Sequence, residues 1–537
     1  MKPKLLSTIA LAALASGAAW AQSAVDAYTV TPVELRGSAR FVGMGGAFTS
    51  LGGDISCMTQ NPAGLGLYRS SDLGLTFDIG IRSYKAATND GIDKHSETRP
   101  KFDNFGYVGV SNLSGALRSF QWGVSYNRLA VMDRLSSGYV NPAPATSLSN
   151  YAAYLTNGVN SADMLGGDNY DPYFDSSINW LSTLAFKSFM ISNDGSDESY
   201  SGLYNKNLGT YGDALFDVRE RGYTDEYNID FAGNVSDVVF WGLGVGIVDM
   251  QYTRETNYSE SMEAALVYDE PADVLTSGNA GFNLYNYKSI GGSGANLKFG
   301  LIVRPVEMLR IGAAIHTPTW MHLSHNGYGV VDYNYTPDGS TATNSGNKDT
   351  PDYDYSSRLN SPWRFMIGAS VVLGSKAILS ADYERVAYND MKMKYNTYGR
   401  FGSEYVEDTA GNQDIKDYYK AANIFRIGAE YRLLPNLSLR AGYNYQSSAV
   451  GQKAMDNSIY ISTAGTDPSY AFYNDTQNIS VGLGYRYRAW YIDLAYLHTR
   501  QTGTYRAFTG FEGSPAAPSA SLTNTYNNIV ISTGIRF

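Results

Sequence analysis

Cysteine is almost absent from this chain. Cys57 stands alone among 537 residues, so no internal disulfide can form and no redox chemistry is called for. Histidine is scarce too: His95, His316, His322, His325 and His498 are the full set. Basic residues are outnumbered, with 41 Lys and Arg against 51 Asp and Glu. Losing Lys2 and Lys4 with a cleaved leader leaves 39 basic residues against 51 acidic ones, a formal charge of −12, which argues against a nucleic-acid partner. Long apolar runs are missing as well. Beyond the leader the longest is Val238–Val248, which includes three glycines. A spanning helix needs roughly 20 apolar residues, so no helix is expected to hold this chain in a bilayer.

What is present points to export. Met1–Lys4 carry two lysines, Leu5–Ala19 is apolar and small, and Ala19-Trp20-Ala21 is a small-x-small cleavage site before Gln22. Residues 1–21 read as a secretory signal peptide, whose apolar core is too short to span. No cysteine follows the cut, so no lipoprotein anchor is expected. Hydrophobic residues make up 43% of the chain, yet mean hydropathy is −0.27. The 44 tyrosines and 55 glycines suit a transmembrane β-barrel, with tyrosines in interfacial girdles and glycines easing curvature and lumen crowding. A secreted soluble β-protein shares this composition, so alternation has to decide.

Segments of about ten residues with period-two apolarity recur, the length a tilted strand needs to cross the hydrocarbon. In Asp72–Arg82, Leu73, Leu75, Phe77, Ile79 and Ile81 oppose Gly74, Thr76, Asp78, Gly80 and Arg82. Asn104–Leu113, Ser119–Leu129, Tyr227–Asn234 and Val239–Tyr252 follow. Then come the pairs Ala295–Arg304 with Leu309–Pro318, Pro362–Leu373 with Lys376–Tyr388, Ala422–Leu433 with Asn436–Ser447, and Gln477–Tyr487 with Trp490–Arg500. Thr523–Phe537 completes fourteen, alternating up to the carboxylate. The terminal Phe537 resembles the C-terminal signature that the barrel-assembly machinery reads in bacterial outer-membrane proteins.

The connections alternate too. Pro305–Met308, Gly374-Ser375, Leu434-Pro435 and Arg488-Ala489 are tight, while Met132–Glu226, Arg254–Gly294, Thr319–Ser361 and Asn389–Ala421 are long and polar. Short periplasmic turns and long extracellular loops are the outer-membrane pattern, and an even strand number leaves both barrel ends on the periplasmic side. The expected architecture is an all-β membrane protein: a fourteen-stranded antiparallel barrel over residues 72–537, preceded by a hatch over residues 22–71 inside the lumen. The hatch reading rests on glycine-rich turn chemistry combined with apolar side chains, Phe41, Val42, Met44, Phe48, Leu51 and Ile55, that a floppy linker would not carry.

Within that segment Gly37, Arg40, Gly43, Gly45 and Gly46, then Gly53-Asp54, then Asn61-Pro62-Ala63-Gly64-Leu65 resemble the N-terminal hatch of the FadL/TodX-like outer-membrane transporters of hydrophobic compounds. Looser likeness extends to Arg426–Tyr431 and Leu439–Tyr443. Tyr- and Asn-rich loops resemble the Bacteroidetes-type branch, some of whose members are labelled hemin receptors. The resemblance implies a fourteen-stranded barrel, passive uptake of fatty-acid-like or aromatic molecules, and an extracellular apolar groove that captures ligand first. In loop 132–226, Asp175-Ser176-Ser177 can cap a helix over residues 176–191, where Trp180, Leu181, Leu184, Phe186 and Phe189 are the candidate ligand contacts. The resemblance also implies that the segment with Gln22, Val25 and Tyr28 reaches a lumen pocket, and that a side opening releases ligand.

Other chemistry is thin. Lumen-facing Arg82, Arg426 and Arg440 can pair with a ligand carboxylate, or with Asp78, Asp382 and Glu430. His322 and His325 form an H-x-x-H pair that a haem iron can use, although the spacing is common. No serine partner for His498 marks a hydrolase, and no phosphate-binding glycine motif opens a helix after a strand, so no enzyme, metal or cofactor is expected. The expected partners are a hydrophobic small molecule, outer-membrane lipid and the assembly machinery, with the protein a monomer. A haem receptor and an adhesive surface barrel are the competing readings.

Overall fold

The computed structural model describes residues 22–140, 146–167, 169–340, 343–399, 402–511 and 516–537. The signal peptide therefore lies outside the described residues. Fourteen strands form a closed antiparallel cylinder: β1 (Asp72–Ala87), β2 (Ile92–Asn112), β3 (Leu117–Val131), β4 (Tyr211–Val235), β5 (Val239–Asp269), β6 (Val274–Val306), β7 (Leu309–His316), β8 (Arg364–Leu373), β9 (Ala377–Val386), β10 (Ala422–Leu434), β11 (Leu437–Gln446), β12 (Tyr470–Tyr487), β13 (Trp490–Arg506) and β14 (Ser519–Arg536). Each pairs with its neighbours in sequence order. β1 pairs with both β2 and β14, which closes the ring and leaves no free edge.

The alternation read from the sequence is the alternation of the wall. Phe77, Val245, Phe299, Ile367, Ile427 and Leu494 point outward and are exposed, forming an apolar belt that lipid covers. Residues one step away, such as Asp78, Asn228, Lys298, Asp382 and Asn528, are buried toward the bore. Short turns lie at one rim, where Leu309 follows three residues after Val306 and Ala377 follows four after Leu373. Phe537 exchanges backbone hydrogen bonds with Ser71 at 3.0 Å in both directions, so it sits beside the start of β1 at that same rim.

Two differences from the sequence reading have physical causes. The strand expected over Leu309–Pro318 stops at His316, and the one expected from Pro362 begins at Arg364. Pro318 and Pro362 carry no N–H for the ladder, so the wall breaks there and resumes as Trp320–Pro337 and Tyr353–Asn360. The long connection Arg254–Gly294 is not an irregular loop either. It is the upper part of a β5–β6 hairpin whose strands run 31 and 33 residues. Above the belt there is no lipid to demand apolar outward residues, so the periodicity vanishes while the ladder continues.

The bore is filled in three tiers. At the turn rim sit residues 33–68, with helix α1 (Ala24–Thr29) above them and helix α2 (Ala39–Gly43) within them. At the opposite end a cap built on α3 (Leu148–Thr156) and α4 (Trp180–Lys187) packs against inward residues of the upper strands, including Phe216, Leu284, Tyr335 and Tyr505. Glu260, inward on β5, pins the cap by accepting from the Leu148 N–H at 2.9 Å. Between the tiers α1 lies among Met132, Met250, Met321, Met391, Met393 and Tyr252.

Candidate functional site

Residues 33–68 occupy the lumen as the hatch motif suggests, and the wall is shaped to receive them. A Cβ on Gly442 of β11 would lie 2.1 Å from the Gly45 nitrogen, and one on Gly428 of β10 would lie 2.4 Å from the Met44 carbonyl oxygen. On the other side, Gly242 and Gly312 approach Ala63 and Thr49 as closely. Glycine in the hatch itself serves the turn: Gly45 and Gly46 take φ of 63° and 73°, which side-chain-bearing residues rarely adopt. Gly37, at φ 140°, packs on Ser56, and Gly43 meets Gly482 of β12.

Polar side chains complete the seat. Asp54 caps a 3-10 turn through the Ser56 N–H at 2.9 Å and accepts the Ser38 hydroxyl at 2.8 Å. Asn61 accepts from the Ala63 N–H at 3.0 Å and donates to the Thr49 carbonyl at 2.6 Å. Pro62 starts the next 3-10 turn, where its missing N–H costs nothing. The Gly64 carbonyl receives the Gly53 N–H at 3.0 Å, which ties the Gly53-Asp54 turn to the Asn-Pro-Ala turn. Burial, with Asp54 nearby, pushes the Cys57 thiol far above its ordinary range, so it stays protonated and inert.

Charged contacts fix the hatch to the wall. Arg40 pairs with Glu430 of β10 at 2.9 Å, and Arg440 of β11 holds the same carboxylate at 2.7 Å while reaching Asp493 at 2.6 Å. Among the lumen arginines and carboxylates singled out in the sequence, Arg440 and Glu430 pair. Arg426, however, takes Glu384, while Asp382 accepts the Thr49 N–H at 2.7 Å. Asp78 takes neither wall arginine: it receives Arg36 of the hatch at 2.8 Å, and Arg36 also contacts Asp103 of β2. Burial opposes a charge on Arg36, but Asp103 and Asp78 more than offset it and hold the guanidinium firmly protonated.

Arg36 stands at an opening in the ladder. β2 and β3 pair only as far as Asn104 opposite Asn127. Beyond that level β2 continues on β1, and β3 continues on β4 through a bulge between Arg128 and Ala130. Side chains span the split: Lys101 reaches Asp133 at 2.6 Å, and Tyr84 donates to the Asp133 carbonyl at 2.7 Å. The strap Val33–Arg36 covers it from inside, where the Glu34 N–H donates to the Leu129 carbonyl at 3.0 Å and the Glu34 carboxylate accepts from the Val131 N–H at 3.2 Å. Glu34 and Arg36 were not singled out in the sequence. They adjoin the glycine run, but nothing local announces partners that lie far along the chain.

Two cavities flank this strap. The larger, about 110 Å³, lies between the strap and α1 and is lined by Val25, Tyr28, Leu35, Tyr473 and Tyr526 together with Arg82, Arg134, Glu220 and Arg254 among others. The smaller, about 40 Å³, shares Val33–Arg36 and reaches Asn127, Arg128 and Leu129 at the split. Val25 and Tyr28 thus stand where the resemblance places them. Gln22 instead donates to Asp408 at 3.3 Å. Arg82 hydrogen-bonds the Val131 and Asp133 carbonyls at 3.2 and 3.1 Å and covers the Tyr526 ring at 4.7 Å; among the described residues no carboxylate forms an ion pair with it.

α1 is held in place from three sides. Asp26 pairs with Lys288 at 2.8 Å, and Tyr28 stacks on Tyr419 with ring centres 4.7 Å apart. Burial raises the Asp26 carboxyl, but Lys288 outweighs it and leaves the group below its ordinary value. The third contact is helix α5 (Thr409–Tyr418), capped by Asp408, the partner of Gln22. Burial lifts Asp414 on α5 to about 7 from an ordinary 3.8, with Tyr418 opposing and the nearby acids Asp417 and Asp408 adding. The fold therefore favours the protonated form: its contribution is complete below about pH 4 and is lost as pH climbs through 7. Hydrogen exchange of α5 amides, corrected for intrinsic rates, is expected to accelerate between pH 5 and 8. Asp414→Asn is expected to flatten that dependence.

The remaining sequence candidates fall elsewhere. Trp180, Leu181 and Leu184 are buried in the cap core, with Phe186 and Phe189 packed against it, so they do not line an open groove in this structure. The helix runs over Trp180–Lys187 rather than from residue 176 to 191, with Asn179 as its cap accepting from the Leu181 N–H at 2.8 Å. Asp175 turns the preceding chain by accepting from the Ser177 N–H at 2.8 Å. His322 and His325 lie on one strand at an odd spacing, which sends them to opposite faces. His322 is exposed near Tyr405, while His325 is buried against Ser357 at 2.8 Å, so the pair cannot ligate one iron. Among the described residues no cluster of three or more potential metal ligands occurs.

A closed cylinder with a lipid-facing belt, a hatch seated on glycines and a split sealed by a strap defines a plugged membrane-spanning barrel. No protein-family model and no curated protein matches the chain. Solved structures do resemble it. A Pseudomonas aeruginosa FadL homologue is 12% identical, with a TM-score of 0.50 over 94% of this chain and 100% of that one. The deltaS2 mutant of the TodX monoaromatic hydrocarbon channel gives 14% identity and 0.50 over the same shares. The Pseudomonas putida toluene transporter TodX gives 16% identity and 0.49, over 94% of this chain and 99% of that one. The first two place the fold of this chain with that of the FadL homologue and of the TodX channel.

Proposed function

We propose that the barrel sits in the outer membrane of a Gram-negative bacterium and admits small hydrophobic molecules passively, with the hatch strap as the gate. The observation that carries this reading is the cavity of about 110 Å³ between the strap and α1, whose wall mixes Val25, Tyr28, Leu35, Leu497 and Tyr526 with the arginines Arg82, Arg134 and Arg254. Methionines pack around α1, and methionine is unbranched and polarizable, so the space that helix fills adapts to apolar guests of varied shape once it moves. An apolar solute gains nothing from a water-filled pore, whereas the tyrosine, valine and leucine part of this wall holds it by desolvation. Displacing α1 frees that cavity. Moving the Val33–Arg36 strap joins it to the split between β2 and β3, which opens toward lipid. A solute that prefers lipid to water leaves by that side exit. The TodX monoaromatic hydrocarbon channel, whose fold this chain resembles, supports the same reading. The H-x-x-H geometry removes the feature that favoured haem.

Arg82 refines the substrate class. A buried guanidinium bonded to carbonyls, with no carboxylate paired to it among the described residues, favours a guest that brings an acid group with its apolar body. Uptake of labelled benzoate-type and toluene-type solutes into cells with and without the barrel tests both levels. Barrel-dependent entry of either supports the channel; equal entry without the barrel overturns it. Arg82→Gln is expected to lower entry of the carboxylate about tenfold and leave the neutral solute unchanged, since a charge-assisted hydrogen bond is worth roughly 1.5–3 kcal/mol.

A further inference from the structure

The wall does not end at the lipid belt. β5 and β6 run 31 and 33 residues, about three times the roughly 9–11 needed to cross the hydrocarbon. Ile247 on β5 and Leu297 on β6 are the last outward aliphatic residues of the belt on these strands. Above them the outward face of β4, β5, β6 and the Trp320–Pro337 strand changes character.

Its centre is aromatic. Tyr287 lies opposite Tyr328 in register, with ring centres 5.6 Å apart and nearly parallel, and Tyr285 lies 6.1 Å from the same ring. Amides flank the rings: Asn257 lies opposite Tyr285, and Asn326 lies opposite Ser289. One outward step nearer the belt than Tyr287, Arg221 of β4 pairs in register with Thr253, and Arg219 follows it. Both arginines are exposed, and among the described residues neither makes an ion pair.

We propose that this face binds the sugar and phosphate headgroups of the glycolipid in the surrounding outer leaflet. The inference rests on the outer-membrane reading above. Three observations choose that occupant. The face is continuous with the lipid-facing belt, so what lies beside it is the headgroup layer of the same lipids. Aromatic rings offer flat apolar surfaces to the C–H faces of a sugar, while asparagine amides both donate to and accept from its hydroxyls. Arg221 sits one outward step nearer the belt than Tyr287 and Arg219 level with it, opposite Glu255, and guanidinium forks match headgroup phosphate oxygens.

The test uses the full-length barrel in nanodiscs, loaded with rough lipopolysaccharide, with lipid A lacking core sugars, or with phosphatidylglycerol. Lipid retained per barrel is read by native mass spectrometry. Lipopolysaccharide is expected to be retained above both other lipids. Tyr285→Ala, Tyr287→Ala and Tyr328→Ala combined are expected to reduce its retention about fivefold, with Tyr→Phe at the same positions restoring most of it. Arg219→Gln with Arg221→Gln is expected to reduce retention of lipopolysaccharide and lipid A alike. Heat-modifiable gel mobility checks that each variant is folded, and the rings-to-Phe variant serves as the readout if the alanine variant is not. Equal retention of the three lipids, or a folded alanine variant that retains as much as the natural protein, overturns the proposal. A barrel that does not enter nanodiscs at all overturns the membrane reading itself.

Discussion

Arg36→Ala is expected to turn a closed barrel into a leaking one. The guanidinium is buried and satisfies Asp78 at 2.8 Å together with Asp103. Removing it leaves two carboxylates facing each other in a bore without a counter-charge, and breaking a buried pair from one side costs about 3–5 kcal/mol. The loss falls on the strap, whose remaining ties to the wall are the hydrogen bonds of Glu34. Planar-bilayer recordings are expected to show sparse conductance for the natural protein and sustained conductance for the variant. Lysine at the same position keeps the charge but loses the fork, and an intermediate conductance is expected. An Arg36→Ala barrel as quiet as the natural one would show that the strap does not gate.

The second large effect is steric. Gly442→Val puts a branched side chain where a Cβ alone would stand 2.1 Å from the Gly45 nitrogen. Backbone on both sides cannot give way as a flexible side chain does, so the hatch turn has to lift off. Overpacking of this kind typically costs about 1–3 kcal/mol and more where backbone is struck. A lowered unfolding temperature, with proteolytic cleavage appearing between Gly37 and Leu67, is the expected result. Gly80→Ala on β1 is the control. It too faces the bore, but its nearest neighbour would be 3.5 Å away, an ordinary contact, and no change in either readout is expected.

These two residues mark the boundary of what the sequence discloses. The strands were readable because lipid on one side and a polar bore on the other impose a period of two, and Asp72–Arg82 carries it over eleven positions. The hatch was readable from its glycines and its Asn-Pro turn, since positive φ and close backbone approach demand those residue types. The partners were not readable. Arg40 meets Glu430 across 390 positions, and no periodicity links them. The upper wall was hidden for the opposite reason: between Arg254 and Gly294 both faces are polar or mixed, so a continuous hairpin, bulged only between Met262 and Ala265, looks like a loop. The apolar stretch near Trp180 was legible as a helix but not as a site. Burial in a cap and exposure in a groove ask for the same side chains, and only packing separates them.

The glycine seats carry a consequence for biogenesis. Residues 33–68 touch β5, β7, β10, β11, β12 and β14, so their contacts run around most of the circumference. A folded segment of that girth cannot be threaded into a finished cylinder through either rim, one crowded by its own turns and the other covered by the cap. The seam between β1 and β14 can zip around a plug already lying on the curled sheet. Shape complementarity between insert and wall then acts as a template, setting the curvature at which the two outermost strands find each other.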